Sequence, residues 1–143
     1  MAKNCYVYVI ECKHHIKIGI AHNIKSRMRS LQTASPFYMN LLGYIDCPSR
    51  HEAYSLEREL HRNLSFCSGR GEWFKMCLKG RKKSKYGSRD NVKNIILNKI
   101  LKVVNEKPRC NIIKWPDHKK INLYQQGFAY RDFEKDDTAI DNS

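Results

Sequence analysis

The sequence predicts an α/β protein of the α+β sandwich type, with a small mixed sheet of three to four strands, flanking helices and a basic C-terminal helical extension. Two observations support this prediction. Short segments rich in β-branched and aromatic residues begin the chain, and segments with apolar residues at helical spacing follow them. With 143 residues, of which 41% are hydrophobic and 29% charged, the chain fits one modest globular domain with an appendage.

The first two predicted strands form a hairpin. Residues 5–11 and 16–20 both have the composition of strands, and the polar residues 12–15 between them are suited to a turn. Because side chains of paired strands face each other across the ladder, this hairpin would bring Tyr8 and Lys17 close together.

A helix and a third strand come next. Asn23 is suited to cap a helix over about residues 24–32, and Pro36 follows its end. Residues 37–47 are largely apolar and aromatic, so they are predicted to form a third strand at the centre of the sheet.

The clearest helical pattern begins after Pro48. Ser49 and Glu52 have the spacing of a capping box. The apolar stripe of this helix consists of Ala53, Leu56, Leu60 and Leu64. Glu57 and His61 are one helical turn apart at the edge of the stripe, so they are predicted to lean over the sheet instead of pointing into water.

A turn at residues 69–71 and a short closing strand within residues 72–77 complete the predicted order β-β-α-β-α-β. Residues 1–78 are therefore predicted to form the first domain. Residues 79–90 are predicted to be a basic linker, because six of the eleven residues in 79–89 are Lys or Arg and none is a large aliphatic.

Residues 91–131 form the predicted basic extension. An amphipathic helix over about residues 91–106 is ended by Pro108, and its apolar stripe is suited to packing on the rest of the protein. The pattern of residues 108–131 predicts no definite structure. Residues 132–143 hold five acidic residues and one basic residue, which predicts an acidic, disordered tail.

The charge distribution predicts DNA as the partner. The chain has 27 Lys and Arg against 14 Asp and Glu, a formal net charge of +13, and residues 79–131 alone hold 15 basic and 3 acidic residues. An excess of this size is typical of a surface that binds the phosphate backbone, although a solvated basic surface is the simpler alternative. The predicted DNA contacts are Arg29, Arg81, Lys82, Lys83, Lys85 and Arg89.

The six cysteines contain no CxxC pair and no spacing typical of a zinc ribbon or finger. With no signal peptide evident, they are predicted to be reduced thiols of a cytoplasmic protein. No apolar run approaches 18 residues, so no membrane association is predicted. The oligomeric state is not predicted, with a monomer favoured.

Five short motifs occur in a fixed order over the first 78 residues. They are Tyr6-Val7-Tyr8, Lys17-Ile18-Gly19, Arg27, Leu56-Glu57 with His61, and Gly71-Glu72-Trp73-Phe74. In this order and spacing they resemble the GIY-YIG nuclease superfamily, and more specifically the branch typified by the phage T5 Orf172 DNA-binding domain. Each motif alone is weak, and the series of five is more specific.

The resemblance implies hydrolysis of a phosphodiester with one divalent metal ion, Mg²⁺ or Mn²⁺. Tyr8 would be the phenol that activates or orients the attacking water, and Lys17 would lower the pKa of that phenol or act as a base. Arg27 would stabilise charge on the phosphate, and Glu57 would bind the metal. His61 would touch the water shell of the metal or protonate the leaving oxygen.

Gly19, Glu72 and Trp73 are carried over as structural parts of the motifs, with Gly19 allowing the backbone to come close to the phosphate or the next helix. The resemblance therefore implies a metal-dependent DNA endonuclease that nicks one strand of a duplex, of a kind at home in phages and mobile elements. Two alternatives remain open: a DNA-binding module of the same fold that does not cut, and, with less support, a nuclease or binding protein directed at RNA.

Overall fold

The computed structural model describes residues 4–116. The elements in chain order are β1 (Cys5–Cys12), β2 (His15–Ala21), α1 (Ile24–Thr33), β3 (Asn40–Cys47), α2 (Arg50–Asn63), a 3₁₀ turn (Ser65–Cys67), β4 (Trp73–Lys75), α3 (Arg81–Tyr86), α4 (Arg89–Asn105) and β5 (Asn111–Lys114). The predicted acidic tail, and the part of the basic extension that follows residue 116, lie outside the described residues.

The strands form one sheet in the order β4-β2-β1-β3-β5, and every neighbouring pair is antiparallel. The α+β class is confirmed, but the predicted mixed sheet of three to four strands is in fact an antiparallel sheet of five. Its centre is β1, whose eight residues are all buried, and not the predicted third strand. The strand β5, which the sequence pattern did not predict, pairs with β3 and covers its outer edge.

The third strand begins at Asn40, three residues later than predicted. The side chain of Gln32 stabilises the preceding loop, because its amide donates to the carbonyl of Phe37 at 2.9 Å and its oxygen accepts from the backbone N–H of Met39 at 2.8 Å. Phe37 and Tyr38 are consequently exposed aromatic residues of a loop and not strand residues.

The predicted helix caps are confirmed. The Asn23 side chain accepts a hydrogen bond from Ser26 N at 2.8 Å, and the Ser49 hydroxyl accepts one from Glu52 N at 3.2 Å. Helix α1 covers the face of the sheet that carries Tyr6, Tyr8 and Ile10. The opposite face packs against α2 and α4, with Val7 and Val9 of β1, Ala53, Leu56 and Leu60 of α2, and Val92, Ile96 and Ile100 of α4.

The predicted linker contains a helix. Residues Arg81–Tyr86 form α3, none of whose side chains is buried, and α4 begins at Arg89 with Ser88 as its cap. The helix predicted over about residues 91–106 places its apolar side chains in the same core as those of the sheet, which confirms that its apolar stripe packs on the rest of the protein. The division of the chain into domains stays a prediction.

The buried carboxylate of Glu11 connects the hairpin to Lys93 and Arg89 of α4. Glu11 on β1 is 2% exposed and accepts hydrogen bonds from Lys93 Nζ at 2.7 Å and from Arg89 Nη2 at 2.6 Å. Arg89 also donates to the carbonyl of Lys13 and to a ring nitrogen of His14. The guanidinium of Arg89 thus holds the hairpin turn against α4, and the DNA contact expected of this residue stays a prediction.

The cysteines, all within the described residues, are free thiols as predicted. Among residues 4–116, no helix has the length and apolar character needed to span a membrane.

Candidate active site

Tyr8 and Gly19 face each other across β1 and β2. A Cβ atom at Gly19 would overlap the Tyr8 hydroxyl and lie 2.6 Å from Tyr8 Cζ. Gly19 therefore makes room for the phenol of Tyr8, which is 2% exposed. The expected close approach of its backbone to a phosphate or to the next helix stays a prediction. The hydroxyl end of the phenol lies over β2.

Lys17 and Glu72 form a salt bridge beside this phenol. Lys17 Nζ lies 2.8 Å from Glu72 Oε2, and the same carboxylate oxygen lies 3.1 Å from where a Gly19 Cβ would be. The backbone supports the arrangement, because Ile18 N–H donates to the Glu72 carbonyl at 3.2 Å. Glu72, predicted only as a structural motif residue, thus contributes its carboxylate to the site.

Trp73 follows Glu72 and pairs with Lys17 in the sheet. Its ring lies 5.3 Å from Lys17 Nζ, a distance at which the cation and the ring attract each other. Trp73 is half-buried, whereas its neighbour Phe74 is fully in the core on the other face of the sheet. Phe74 therefore closes the core, and Trp73 borders the candidate site.

The short strand β4 allows α2 to reach the site. It pairs with β2 only from His15 to Lys17, and after the Ile18 N–H, which donates to the Glu72 carbonyl, no strand covers the outer edge of β2. His61 of α2 occupies that edge, with Nε2 3.3 Å from the Ile18 carbonyl oxygen and 3.7 Å from Glu57 Oε1. The His61 ring packs on Phe74 with the ring centroids 4.8 Å apart. These contacts confirm that His61 leans over the edge of the sheet, and Glu57 lies beside it with a side chain that is 16% exposed.

The two carboxylates affect each other. Burial raises the pKa of Glu57, and the negative charge of Glu72 raises it further, while His61 and Lys17 lower it. A positive charge near Glu57 would relieve this repulsion, which is a property expected of a metal ligand.

The pKa of Tyr8 depends on the same charges. Burial, followed by the charge of Glu72, raises the pKa of Tyr8 to about 12, while Arg27 acts in the opposite direction. Lys17 was expected to lower the pKa of this phenol, but its ammonium is neutralised by Glu72 and the pKa is raised. The influence of Arg27, an exposed residue of α1, places its guanidinium within electrostatic range of the phenol.

No group of three or more His, Cys, Asp or Glu side chains within residues 4–116 is arranged to hold a metal ion. A hard cation such as Mg²⁺ keeps several of its waters and needs only one or two protein carboxylates. The donor set therefore fits Mg²⁺ or Mn²⁺ through Glu57, with Glu72 as the second carboxylate nearby, and does not fit a zinc site built from protein ligands alone.

The predicted DNA contacts other than Arg89 are on the surface. Arg29 is exposed on α1, and Arg81, Lys82, Lys83 and Lys85 are exposed on α3. The sequence pattern did not single out a further basic group at the tip of the hairpin and along β4, which includes Lys13, Arg70 and Lys75. Their proximity depends on strand pairing, so the sequence alone carries no signal for this group.

Comparison with known proteins identifies a family. The family model of the T5orf172 domain matches residues 5–98, a span that runs from the first residue of β1 into α4. No curated protein and no solved structure matches the chain. The family suggests a nuclease-like module that binds nucleic acid. The matched span covers well over half of the chain, and the protein therefore belongs to the T5orf172 domain family.

Proposed function

We propose that the protein is a metal-dependent DNA endonuclease that nicks one strand of duplex DNA. The observation that supports the proposal most strongly is the convergence of Tyr8, Lys17, Glu57 and Glu72 at the open edge of β2, with Arg27 in electrostatic range. Such a group supplies positive charge, a phenol and carboxylates around one position, which is what phosphodiester hydrolysis requires. The resemblance to GIY-YIG nucleases supports the same assignment.

The proposed reaction begins with the binding of a phosphate by Arg27 and Lys17. Arginine suits phosphate oxygens because its planar guanidinium offers paired donors, whereas lysine acts as a point charge. The phosphate competes with Glu72 for the ammonium of Lys17. Glu72 can release Lys17, because its side chain is 43% exposed and the ion pair is therefore only moderately stabilising.

Tyr8 acts as a hydrogen-bond donor in this proposal. Since its pKa is raised to about 12, the phenol is protonated at neutral pH and cannot take a proton from water. It orients the attacking water or a phosphate oxygen. The carboxylate of Glu72, once released by Lys17, lies beside the phenol and accepts the proton of the water as its oxygen bonds to phosphorus and the bond to the leaving oxygen breaks.

Glu57 would hold the divalent cation, which supplies charge stabilisation for the phosphate and the leaving oxygen when it is bound. His61 is proposed to be a positioning residue, since its Nε2 contacts the Ile18 carbonyl and its ring packs on Phe74. It fixes the orientation of α2 at the edge of β2 and thereby the position of Glu57. The roles first implied for His61, in the metal's water shell or as the final proton donor, stay predictions.

The test is conversion of supercoiled plasmid to open circle with Mg²⁺ or Mn²⁺, with EDTA as the metal-free control. Glu57→Gln and Arg27→Ala should each remove the nicking. Glu59→Gln and Arg62→Ala are matched controls on α2 outside the site, and both should nick like the unmodified protein. Nicking by Glu57→Gln at the unmodified rate would contradict the proposal.

A DNA-binding module without activity is the second candidate, and the raised pKa of Tyr8 is the observation that favours it. This candidate predicts salt-dependent binding of duplex DNA with no metal-dependent cleavage, and equal binding by Glu57→Gln and the unmodified protein. The RNA alternative drew on aromatic residues in 109–131, most of which lie outside the described residues.

A further inference from the structure

A groove with a volume of about 510 Å³ runs beside the candidate site, between the hairpin and the loop before β3. We call it the Trp73 groove. It is lined by Cys12, Lys13, His15, Phe37, Arg70, Trp73 and Lys75. Its volume is within the range of small-molecule sites, about 300–1,000 Å³. None of the lining residues is acidic, and three of them are exposed cations.

A second basic groove adjoins the first. It has a volume of about 470 Å³, shares His15 and Lys75 with the Trp73 groove, and contains no acidic residue. Its further cations are Lys79 and Lys82, the second of which is on α3. The two grooves together form a basic path that leads away from Trp73, and charge complementarity selects a polyanion for it.

The aromatic residues of the Trp73 groove distinguish it from a simple phosphate-binding surface. Phe37 is 48% exposed, and Lys13 Nζ lies 4.7 Å from the centre of its ring. Trp73 meets His15 edge to face, with the ring centroids 6.2 Å apart. Burial, with the charges of Lys75 and His14, lowers the pKa of His15, so its ring is neutral near pH 7 and extends the apolar wall.

Paired DNA does not present the faces of its bases to such residues, because each base is stacked between its neighbours. Exposed aromatic rings among cations are typical of sites that stack unpaired bases and contact the flanking phosphates. The groove also begins at the candidate site, because Trp73 pairs with Lys17, whose ammonium is close to both the indole and Glu72.

We infer that the Trp73 groove binds an unpaired base of a DNA strand while Lys13, Arg70 and Lys75 contact the phosphates on either side. The preferred substrate class is then duplex DNA with a short single-stranded segment next to the phosphate that is cut. This inference rests on the proposed function, since it assigns the kind of DNA that the nuclease acts on.

The test is fluorescence anisotropy of the full chain in EDTA, which keeps binding separate from cleavage. A short duplex is compared with the same duplex carrying a few unpaired nucleotides at its centre. We expect the second DNA to bind about five- to tenfold tighter, the effect of one stacked base. Phe37→Leu keeps an apolar side chain but loses the ring, and it should remove most of this preference while binding the paired duplex as before.

Tyr54→Leu is the matched control, because Tyr54 is an exposed aromatic with Arg50 over its ring but lines neither groove. It should keep the preference. Equal affinity for the two DNAs, an equal effect of the two variants, or tighter binding of the same partly unpaired molecule made of RNA would each overturn the inference.

The plasmid assay separates this inference from the proposed function. Metal-dependent nicking without a preference for unpaired DNA would leave the proposed nuclease standing and overturn the inference alone. A preference that depends on Phe37, with no nicking of any DNA, would support the groove and contradict the nuclease.

Discussion

At the scale of single residues, Glu72 affects the charge of each of its neighbours in the candidate site. It neutralises Lys17, and its charge is one cause of the raised pKa of both Tyr8 and Glu57. In the unbound protein the site is therefore closed by its own ion pair. A phosphate that binds Lys17 would release the carboxylate next to the phenol, where a proton acceptor is needed.

Replacing Glu72 with Gln should consequently separate binding from cleavage. With Lys17 no longer paired, affinity for duplex DNA should rise a few-fold, in keeping with the modest worth of a part-exposed ion pair. Nicking should slow about 10²-fold or more, because a general base is removed. Anisotropy and plasmid nicking measure the two effects, with Glu59→Gln as the control. Weaker DNA binding by Glu72→Gln would contradict the assigned role.

Gly19 offers a second test at the residue scale. In Gly19→Ala the new methyl group would overlap the Tyr8 hydroxyl, so either the phenol moves or the hairpin is strained. We expect a loss of about 1–3 kcal/mol in the free energy of unfolding, as for other overpacked sites. In a Tyr8→Ala background the same substitution should cost less, since the clashing ring is gone. Urea denaturation measures both costs, and equal costs in the two backgrounds would show that Tyr8 is not the clashing neighbour.

The residues of the site illustrate what the sequence could predict. Tyr8, Lys17, Arg27 and Glu57 were identified because each belongs to a short motif in a recognisable order. The role of Glu72 could not be predicted, because it depends on a three-residue strand that turns the carboxylate towards Lys17. A lowered pKa of Tyr8 was one of the two roles expected of Lys17, and it is not seen because Lys17 pairs with Glu72 in the folded site.

At the scale of elements, helices were easier to predict than strand partners. Helices α1 and α2 have caps and apolar stripes, which are formed by residues close together in the sequence. The pairing of β5 with β3 depends on a distant residue, because a Cβ at Gly43 would overlap the Lys114 carbonyl and lie 2.8 Å from the Trp115 ring. The helix α3 lies in the predicted linker, because its basic residues without a large aliphatic give no apolar stripe from which a helix could be predicted, and the structure buries none of its side chains.

The element that fixes the hairpin is α4, through its buried contacts with Glu11. Replacing Glu11 with Ala would leave the fully buried ammonium of Lys93 without its carboxylate. We expect a loss of about 3–5 kcal/mol in the free energy of unfolding, measured by urea denaturation. The Glu11→Leu and Lys93→Met double variant should be more stable than Glu11→Ala, since the fully buried ammonium is then gone and Arg89 keeps its contact with Asp90. A loss below about 1 kcal/mol for Glu11→Ala, the value of an exposed pair, would contradict this role of Glu11.

At the scale of the whole molecule, the net charge of +13 is distributed in a way that suits a polyanion. The cations of α3 and those of the basic path along the Trp73 groove lie on the surface, and Arg29 of α1 is exposed as well. Arg89, which the charge pattern had included, is held by Glu11. Composition could therefore predict the class of partner that the family suggests, nucleic acid, but not which cations are paired within the protein.

The cations of α3 can be tested together. Lys82→Ala with Lys83→Ala should weaken binding of duplex DNA at low salt and reduce the slope of log affinity against log salt by about one for each phosphate that the variant no longer binds. The effect should be the same for different DNA sequences, because phosphate contacts carry no base information. Anisotropy over a salt series measures it. An unchanged slope would indicate that α3 does not contact the backbone, and Arg62→Ala is the single-charge control.

The proposed nuclease requires that the site at the edge of β2 cuts DNA with the help of a cation held by Glu57. The decisive measurement compares the unmodified protein with Glu57→Gln, recording plasmid nicking in Mg²⁺ and duplex binding in EDTA on the same preparations. We expect the unmodified protein to nick only with metal, and Glu57→Gln to bind as well but not to nick. Equal nicking by both proteins, or none by either alongside normal binding, would contradict the proposal.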